Sequence, residues 1–262
     1  MPAKAIRFDD GAAYEEFMGR WSQLAGEVFL PWLNQPPGLR WLDIGCGNGA
    51  FTEMIAARCA PAAIAGIDPS PGQLAFARER PGLGAAALEE GDATALPHAD
   101  ASFDVAVMAL VLFFVPDPAR GVAEMRRVIR PGGTVAAYTW DIFGGGFPIA
   151  SMQSEMRALG MNPVLPPSSE ASRPEALRAL WAQAGLVDVE LREIAVSRSF
   201  DSFEHYWAAS MKAPTLGASL AAKPPAVVDA LRSRMAAKLA PDTSGRITVN
   251  ARANAIKGRS PK

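Results

Sequence analysis

Leu39-Arg40-Trp41-Leu42-Asp43-Ile44-Gly45-Cys46-Gly47-Asn48-Gly49 is the stretch that decides how this chain folds. An apolar run of strand length carries one acid, three glycines follow at alternate positions, and Phe51, Met54, Ile55 and Cys59 then recur at helical spacing. The pattern is a strand, a tight turn and a helix. Glycines at 45 and 47 leave no Cβ in the way, so a ligand can lie against bare backbone at the strand's carboxyl end, where open α/β sheets hold their ligands.

Two ligands compete for that turn. Gly45, Gly47 and Ala50 satisfy the G-x-G-x-x-G/A fingerprint of dinucleotide-binding proteins, a weak signal by itself. Asp43 argues against it, because a pyrophosphate on a helix N-terminus wants positive potential and a carboxylate two residues before the first glycine opposes it. A ligand with an ammonium group would welcome the same carboxylate. Asp-x-Gly-x-Gly-x-Gly after a strand resembles motif I of the class I S-adenosylmethionine-dependent methyltransferases, and the rest of the chain extends the resemblance.

After Pro61, residues 62–68 read as a second buried strand ending in Asp68. A carboxylate there can accept both ribose hydroxyls of a nucleoside, which adenosyl and NAD readings need equally. Pro69 and Leu74 stand where they would flank an adenine, and Gln73 where it would meet ribose or solvent. A third strand, 85–89, leads into Gly91-Asp92-Ala93. In the family an acid at position 92 takes the adenine amino group and the backbone N–H of Ala93 contacts the ring. The spacing to Phe103-Asp104 is that of the type 11, or ubiquinone-biosynthesis-like, branch. Strand four runs from 103 to about 110, its end putting Met108 and Ala109 beneath the methionine part of the cofactor. The Asn/Asp-Pro-Pro-Tyr/Phe element of methyltransferases that act on DNA bases or glutamine is missing, which with the charge balance argues against a nucleic-acid base as acceptor. Arg130-Pro131-Gly132-Gly133 matches a family fold marker, read as a turn before a fifth strand at 134–140. The resemblance runs continuously over residues 14–140.

Ahead of the sheet, residues 11–33 place aromatic and aliphatic side chains at steps of three and four, an amphipathic helix. It covers a flank of the core; by resemblance it is also a lid, with Tyr14 and Arg20 turned toward the cofactor and Arg20 forked onto its carboxylate. Beyond 141 the chain is less familiar. Long connections, a helix from Arg173-Pro174-Glu175 to Ala184, and strands at 187–196 and 245–253 complete the expected fold. It is a single α/β domain, a Rossmann-like, doubly wound, seven-stranded, mostly parallel sheet with an antiparallel last strand. An N-terminal helical lid (11–33), a cofactor-binding core (39–140), the rest of the sheet (141–200 and 245–258) and a helical cap over the substrate cavity (201–244) are its parts.

The 262 residues are 49% apolar, enough for a full core, and carry 26 basic against 27 acidic side chains, so no global field favours nucleic acid or an anionic membrane. Lys257, Arg259 and Lys262 read as a solvated basic terminus. Two cysteines thirteen positions apart are no disulfide framework, and a reducing cytoplasm fits. Cys46 belongs in the turn by being small. His98 reads as a surface turn residue.

The resemblance implies S-adenosylmethionine as cofactor, S-adenosylhomocysteine as product and methyl transfer to a small-molecule acceptor, with no nucleic acid, membrane or metal involved. Its cofactor-binding set in this chain is Tyr14, Arg20, Asp43, Gly45, Cys46, Gly47, Asp68, Pro69, Gln73, Asp92, Ala93, Met108 and Ala109. Alignment of a nucleophile with a methyl electrophile needs no dedicated catalytic group. Were the acceptor a hydroxyl, His205 would be the candidate base, with Tyr206 as its partner. A cofactor-binding module without catalysis, or an NADP-dependent oxidoreductase, are the alternatives. Acceptor identity and oligomeric state are not encoded legibly.

Overall fold

A computed structural model describes residues 18–262, and Tyr14 and the first part of the expected lid lie outside the described residues. Seven strands form one sheet in the order β3-β2-β1-β4-β5-β7-β6. They are β1 (Arg40–Ile44), β2 (Ala63–Asp68), β3 (Ala87–Glu90), β4 (Phe103–Ala109), β5 (Ile129–Trp140), β6 (Val187–Phe200) and β7 (Ile247–Arg259). β3, β2, β1, β4 and β5 run parallel, and β7 lies antiparallel to both β5 and β6. The expected topology, with its last strand reversed, is the observed one.

Side-chain alternation along the strands fills two separate cores. Trp41, Val105, Val107, Tyr138 and Trp140 face α1 (Arg20–Leu33) and α2 (Ala50–Cys59). Leu42, Ile44, Ala106 and Met108 face the other way, toward α4 (Pro118–Val128) and α6 (Pro174–Gln183), where Trp181 Nε1 donates to Val135 O at 3.2 Å. The parity that points Trp41 at α1 and α2 points Asp43 there also. Between β2 and β3 lies α3 (Pro71–Arg78), with Pro71 at its first turn and Ser70 Oγ capping Gln73 N–H.

Several elements differ from the sequence reading. Pro131-Gly132-Gly133 lies within β5, not before it. Pairing jumps from Phe103↔Ile129 to Val105↔Thr134, so residues 130–133 bulge outward, with Arg130 ion-paired to Asp104 and Gly132 at φ +76°. β3 starts two residues later than read. Met152 and Met156, a helical turn apart and both buried, anchor an additional helix, α5 (Ala150–Ala158), within the expected long connection. β7 runs to Arg259, and Lys257 is no solvated terminus: its Nζ donates to Trp32 O at 3.2 Å and sits 4.7 Å from the Trp32 ring. From Ala253 to Ile256 both faces are buried, so the alternation read over 245–253 gives no signal for the rest of the strand. His98 is tucked in, its Nε2 3.1 Å from Glu89 Oε1 and its ring against Phe103.

The insertion at 201–244 is helical as expected: α7 (Phe203–Met211), α8 (Pro214–Ala221) and α9 (Pro225–Lys238). Tyr206, Leu231 and Met235 share a core with α1 and α5, and Arg234 and Lys238 reach Glu155 on α5. Among the described residues, no helix is long and apolar enough to cross a membrane.

Candidate functional site

A cavity of about 510 Å³ opens at the carboxyl ends of β1, β2, β4 and β5. Its floor is the glycine turn. Gly45 and Cys46 both donate their N–H groups to Ile67 O, at 2.7 and 3.0 Å, tying the turn to the end of β2. Gly45 has φ +72°, and a Cβ there would lie 2.5 Å from the Val111 methyls. Gly47 has φ +54°, but a Cβ on it would meet nothing nearer than Gln73 Oε1 at 4.0 Å. Glycine at 47 therefore keeps a stretch of bare backbone open to the cavity.

Three acids from three adjacent strands line this one space. Asp43 is 1% exposed; Thr52 Oγ1 donates to its Oδ2 at 2.7 Å, and its Oδ1 has no partner among the described residues. Burial pushes this carboxyl up to about 7, Thr52 pulls it down and the nearby Asp68 charge pushes it up again. Asp68 is held by two backbone donors, Gly47 N–H and Ser70 N–H, each at 2.9 Å. Burial raises its pKa and those two donors oppose the rise. Each carboxylate oxygen has further lone-pair capacity for a ligand hydroxyl. Asp92 is exposed at the rim, its Oδ1 accepting from Thr94 N–H and Oγ1 at 2.7 and 2.8 Å. Cys46 also lines the cavity; burial pushes its thiol well above the usual range, so it stays protonated and unreactive.

Much of the remaining wall is apolar. Leu110, Val111, Phe114, Val115 and Pro116 follow β4, and Phe51 and Tyr138 come from α2 and β5. Ser168 braces this wall, its Oγ donating to Val115 O at 2.7 Å and its N–H to Phe113 O at 3.0 Å.

Asp43, Gly45, Cys46, Gly47, Asp68, Pro69, Gln73, Asp92, Ala93 and Ala109, all named from sequence, line the cavity together. Others do not reach it. Met108 is fully buried on the α4 face, because its neighbour Ala109 takes the cavity parity. Leu74 is buried in packing and only Pro69 of that pair lines the space. Arg20 is exposed and donates to Gln23 Oε1 at 3.2 Å. Two residues apart on a helix are roughly 200° apart around it, so with Ser22 turned inward Arg20 turns outward. His205 sits on α7, its Nδ1 accepting from Asp201 N–H at 3.3 Å, and it is not among the lining residues. Tyr206 is buried beside it, its hydroxyl pushed up to about 12 by that burial against an opposing hydrogen bond to Ser210. No described residue of 201–244 is among those lining the cavity; Tyr206, Leu231 and Met235 pack with α1 and α5. The reading missed Ser22, Phe51 and Tyr138. Helical period marked Phe51 as core; that it sits two residues after the last glycine, in the first turn of α2, was the usable signal.

Residues 42–137 match a protein-family model described as a methyltransferase domain. Malonyl-[acyl-carrier protein] O-methyltransferase of Methylococcus capsulatus is 35% identical over 158 residues, 60% of this chain and 54% of that protein. Demethylmenaquinone methyltransferase of Renibacterium salmoninarum is 37% identical over 145 residues, 53% of this chain and 56% of that protein. The chain thus spans about half the length of these curated relatives. Among solved structures, phosphoethanolamine N-methyltransferase 2 of Haemonchus contortus, crystallised with phosphomonomethylethanolamine and S-adenosylhomocysteine, shares the fold at TM-score 0.59. It has 19% identity, over 95% of this chain and 56% of that one. BH2331 of Bacillus halodurans does so at TM-score 0.58, with 16% identity over 90% of this chain and 99% of that one.

Proposed function

Residues 42–137 carry a methyltransferase domain on the fold of the class I S-adenosylmethionine-dependent methyltransferases, and on that premise we propose that the chain transfers a methyl group from S-adenosylmethionine to a small-molecule acceptor. The observation that carries the reading is the convergence of Asp43, Asp68 and Asp92 on one cavity around the glycine turn. The residues fit the cofactor: the open Gly47 backbone admits close approach, and the buried, unpartnered Asp43 Oδ1 is a receptor for a cationic donor.

In this reading Asp68 accepts the ribose hydroxyls while Gly47 and Ser70 N–H fix its rotamer. Asp92 and the Ala93 N–H take the adenine edge, Pro69 packs on the ring, and Gln73 bonds the sugar. Asp43 takes the ammonium, whose charge favours the ionised carboxylate that burial disfavours. The bound cofactor supplies a methyl group already electrophilic through its sulfonium. What the protein adds is alignment and exclusion of water, a contribution on the order of 7–11 kcal/mol for well-oriented reactants. The wall formed by Leu110, Val111, Phe114 and Tyr138 favours an acceptor with an apolar or aromatic body.

Calorimetry with S-adenosylmethionine and S-adenosylhomocysteine, followed by an acceptor screen with methyl-labelled cofactor, tests the proposal. Both ligands should bind, and Asp68→Ala should weaken binding by at least about tenfold, the scale of a lost charge-assisted hydrogen bond. Binding of NADPH in their place would overturn it.

A further inference from the structure

Ser22 has a role that packing does not explain. It lies on α1 at 9% exposure, lines the cavity, and its hydroxyl has no hydrogen-bond partner among the described residues. A helical serine ordinarily bonds the carbonyl one turn back or reaches water. Ser22 does neither, and an unsatisfied buried hydroxyl costs stability. Its helix neighbours on the same side, Gly26 and Phe29, are packed: a Cβ on Gly26 would lie 2.9 Å from Met54 Cε, and the Phe29 ring is 4.7 Å from that of Tyr138. Gly26 and Phe29 thus close the inward face of α1 against α2 and β5, while Ser22, one turn earlier, borders the cavity with its Oγ buried and unpartnered among the described residues.

Position along the sheet says what it faces. The nucleoside-binding side chains come from the tips of β2 and β3, and the glycine turn from β1. Strands are spaced about 4.8 Å, so the tip of β5 stands roughly 14 Å from the tip of β2. An adenosyl group held by Asp68 and Asp92 would therefore leave the part of the cavity lined by Phe51 of α2, Ser22 of α1 and the residues after β4 for the acceptor.

Resting on the methyl-transfer reading above, we infer that Ser22 is a positioning residue for the acceptor: its hydroxyl hydrogen-bonds a neutral oxygen on a ring-bearing molecule held in the cavity beside Phe51. The apolar surroundings give a single hydroxyl leverage over orientation, because a misplaced acceptor leaves that hydroxyl unsatisfied.

The experiment compares the full chain with Ser22→Ala and Ser22→Thr, using phenol, catechol and 1,4-naphthohydroquinone as acceptor probes and malonate half-ester and phenethylamine as contrasting ones. Calorimetry should give S-adenosylmethionine affinities within about twofold for all three proteins. For a methylated hydroxyl-bearing ring, Ser22→Ala should raise the acceptor KM or lower kcat/KM roughly five- to tenfold, the value of one hydrogen bond, and Ser22→Thr should restore it. Ser22→Ala should melt no lower than the parent, since it removes an unsatisfied group. Cofactor affinity falling in step with activity in Ser22→Ala would make Ser22 a cofactor contact and overturn the inference. So would unchanged kinetics, or methylation confined to the half-ester or the amine, or no methylation of any ring probe by a parent protein that binds cofactor. Failure of the parent to bind S-adenosylmethionine at all would instead sink the methyl-transfer reading.

Discussion

Asp43→Asn should make the protein more stable, and increasingly so as the pH rises. In the folded chain burial lifts the Asp43 carboxyl from an ordinary 3.8 to about 7, with Thr52 opposing and Asp68 reinforcing the rise. Between those two values the unfolded chain has released its proton and the folded one has kept it. The folded state therefore binds more protons, and stability declines as pH climbs through the window. At about 1.4 kcal/mol per pH unit the penalty for holding this buried charge approaches about 4 kcal/mol above pH 7 and is about 2 kcal/mol at pH 5. Asparagine keeps the shape and can still accept from Thr52 Oγ1 while carrying no charge. Titrating groups remote from Asp43 are common to both proteins and cancel in the difference. The gap between variant and parent should thus widen by about 2–3 kcal/mol from pH 5 to pH 8.5, or roughly 5–10 °C in melting temperature for a chain of this size. Urea or thermal unfolding of both proteins at the two pH values measures it. A gap constant to within about 0.5 kcal/mol would refute the reasoning, because it would mean that the Asp43 charge is solvated in the folded state.

Binding of S-adenosylmethionine near pH 7 should release about half a proton, as the ammonium draws Asp43 into its ionised form; calorimetry in buffers of different ionisation enthalpy reads this, and Asp43→Asn should abolish it. Gly45→Ala should cost about 2–4 kcal/mol, from a left-handed backbone that alanine resists and from overlap with Val111, and should also reduce cofactor affinity; unfolding curves and calorimetry check both. Glu124 accepts from Arg127 and from Leu96 N–H, and these contacts, Arg127 foremost, hold its carboxyl below the usual 4.5. Because that pKa is depressed, its contribution is present above about pH 4.5 and is lost on acidification: Glu124→Gln should lose roughly 1–3 kcal/mol at pH 7 and converge with the parent in acid-unfolding profiles.

How much of this was legible depended on how local the cause was. The glycine turn, the acids at 43, 68 and 92 and the strand preceding each are set by neighbours in sequence, and they converge on one cavity. Strand parity, had it been applied to Met108 and Ala109, would have chosen between them. Arg20 and Ser22 raise the same issue on a helix. Aromatic residues fill enough of α1 to blur which face turns inward, and tertiary contacts such as Phe29 on Tyr138 and Trp21 on Trp140 fix the rotation. The docking of residues 201–244 is a different matter. Helices at 201–244 are visible as elements, but their docking on α5 is written in distant pairs such as Glu155 with Arg234 and Lys238, which no periodicity reports.

The strand order also bears on how the chain is assembled. β7, which follows β6 in sequence, is wedged between β5 and β6 and is the sole sheet neighbour of β6 among the described residues. During synthesis the five parallel strands can associate while β6 waits without a partner, its backbone donors and acceptors unmet until residues 247–259 leave the ribosome. Deleting that one strand would therefore detach β6 along with it and strip Trp32 of the lysine that covers its ring, leaving α1 loosened beside the cavity that its Ser22 lines.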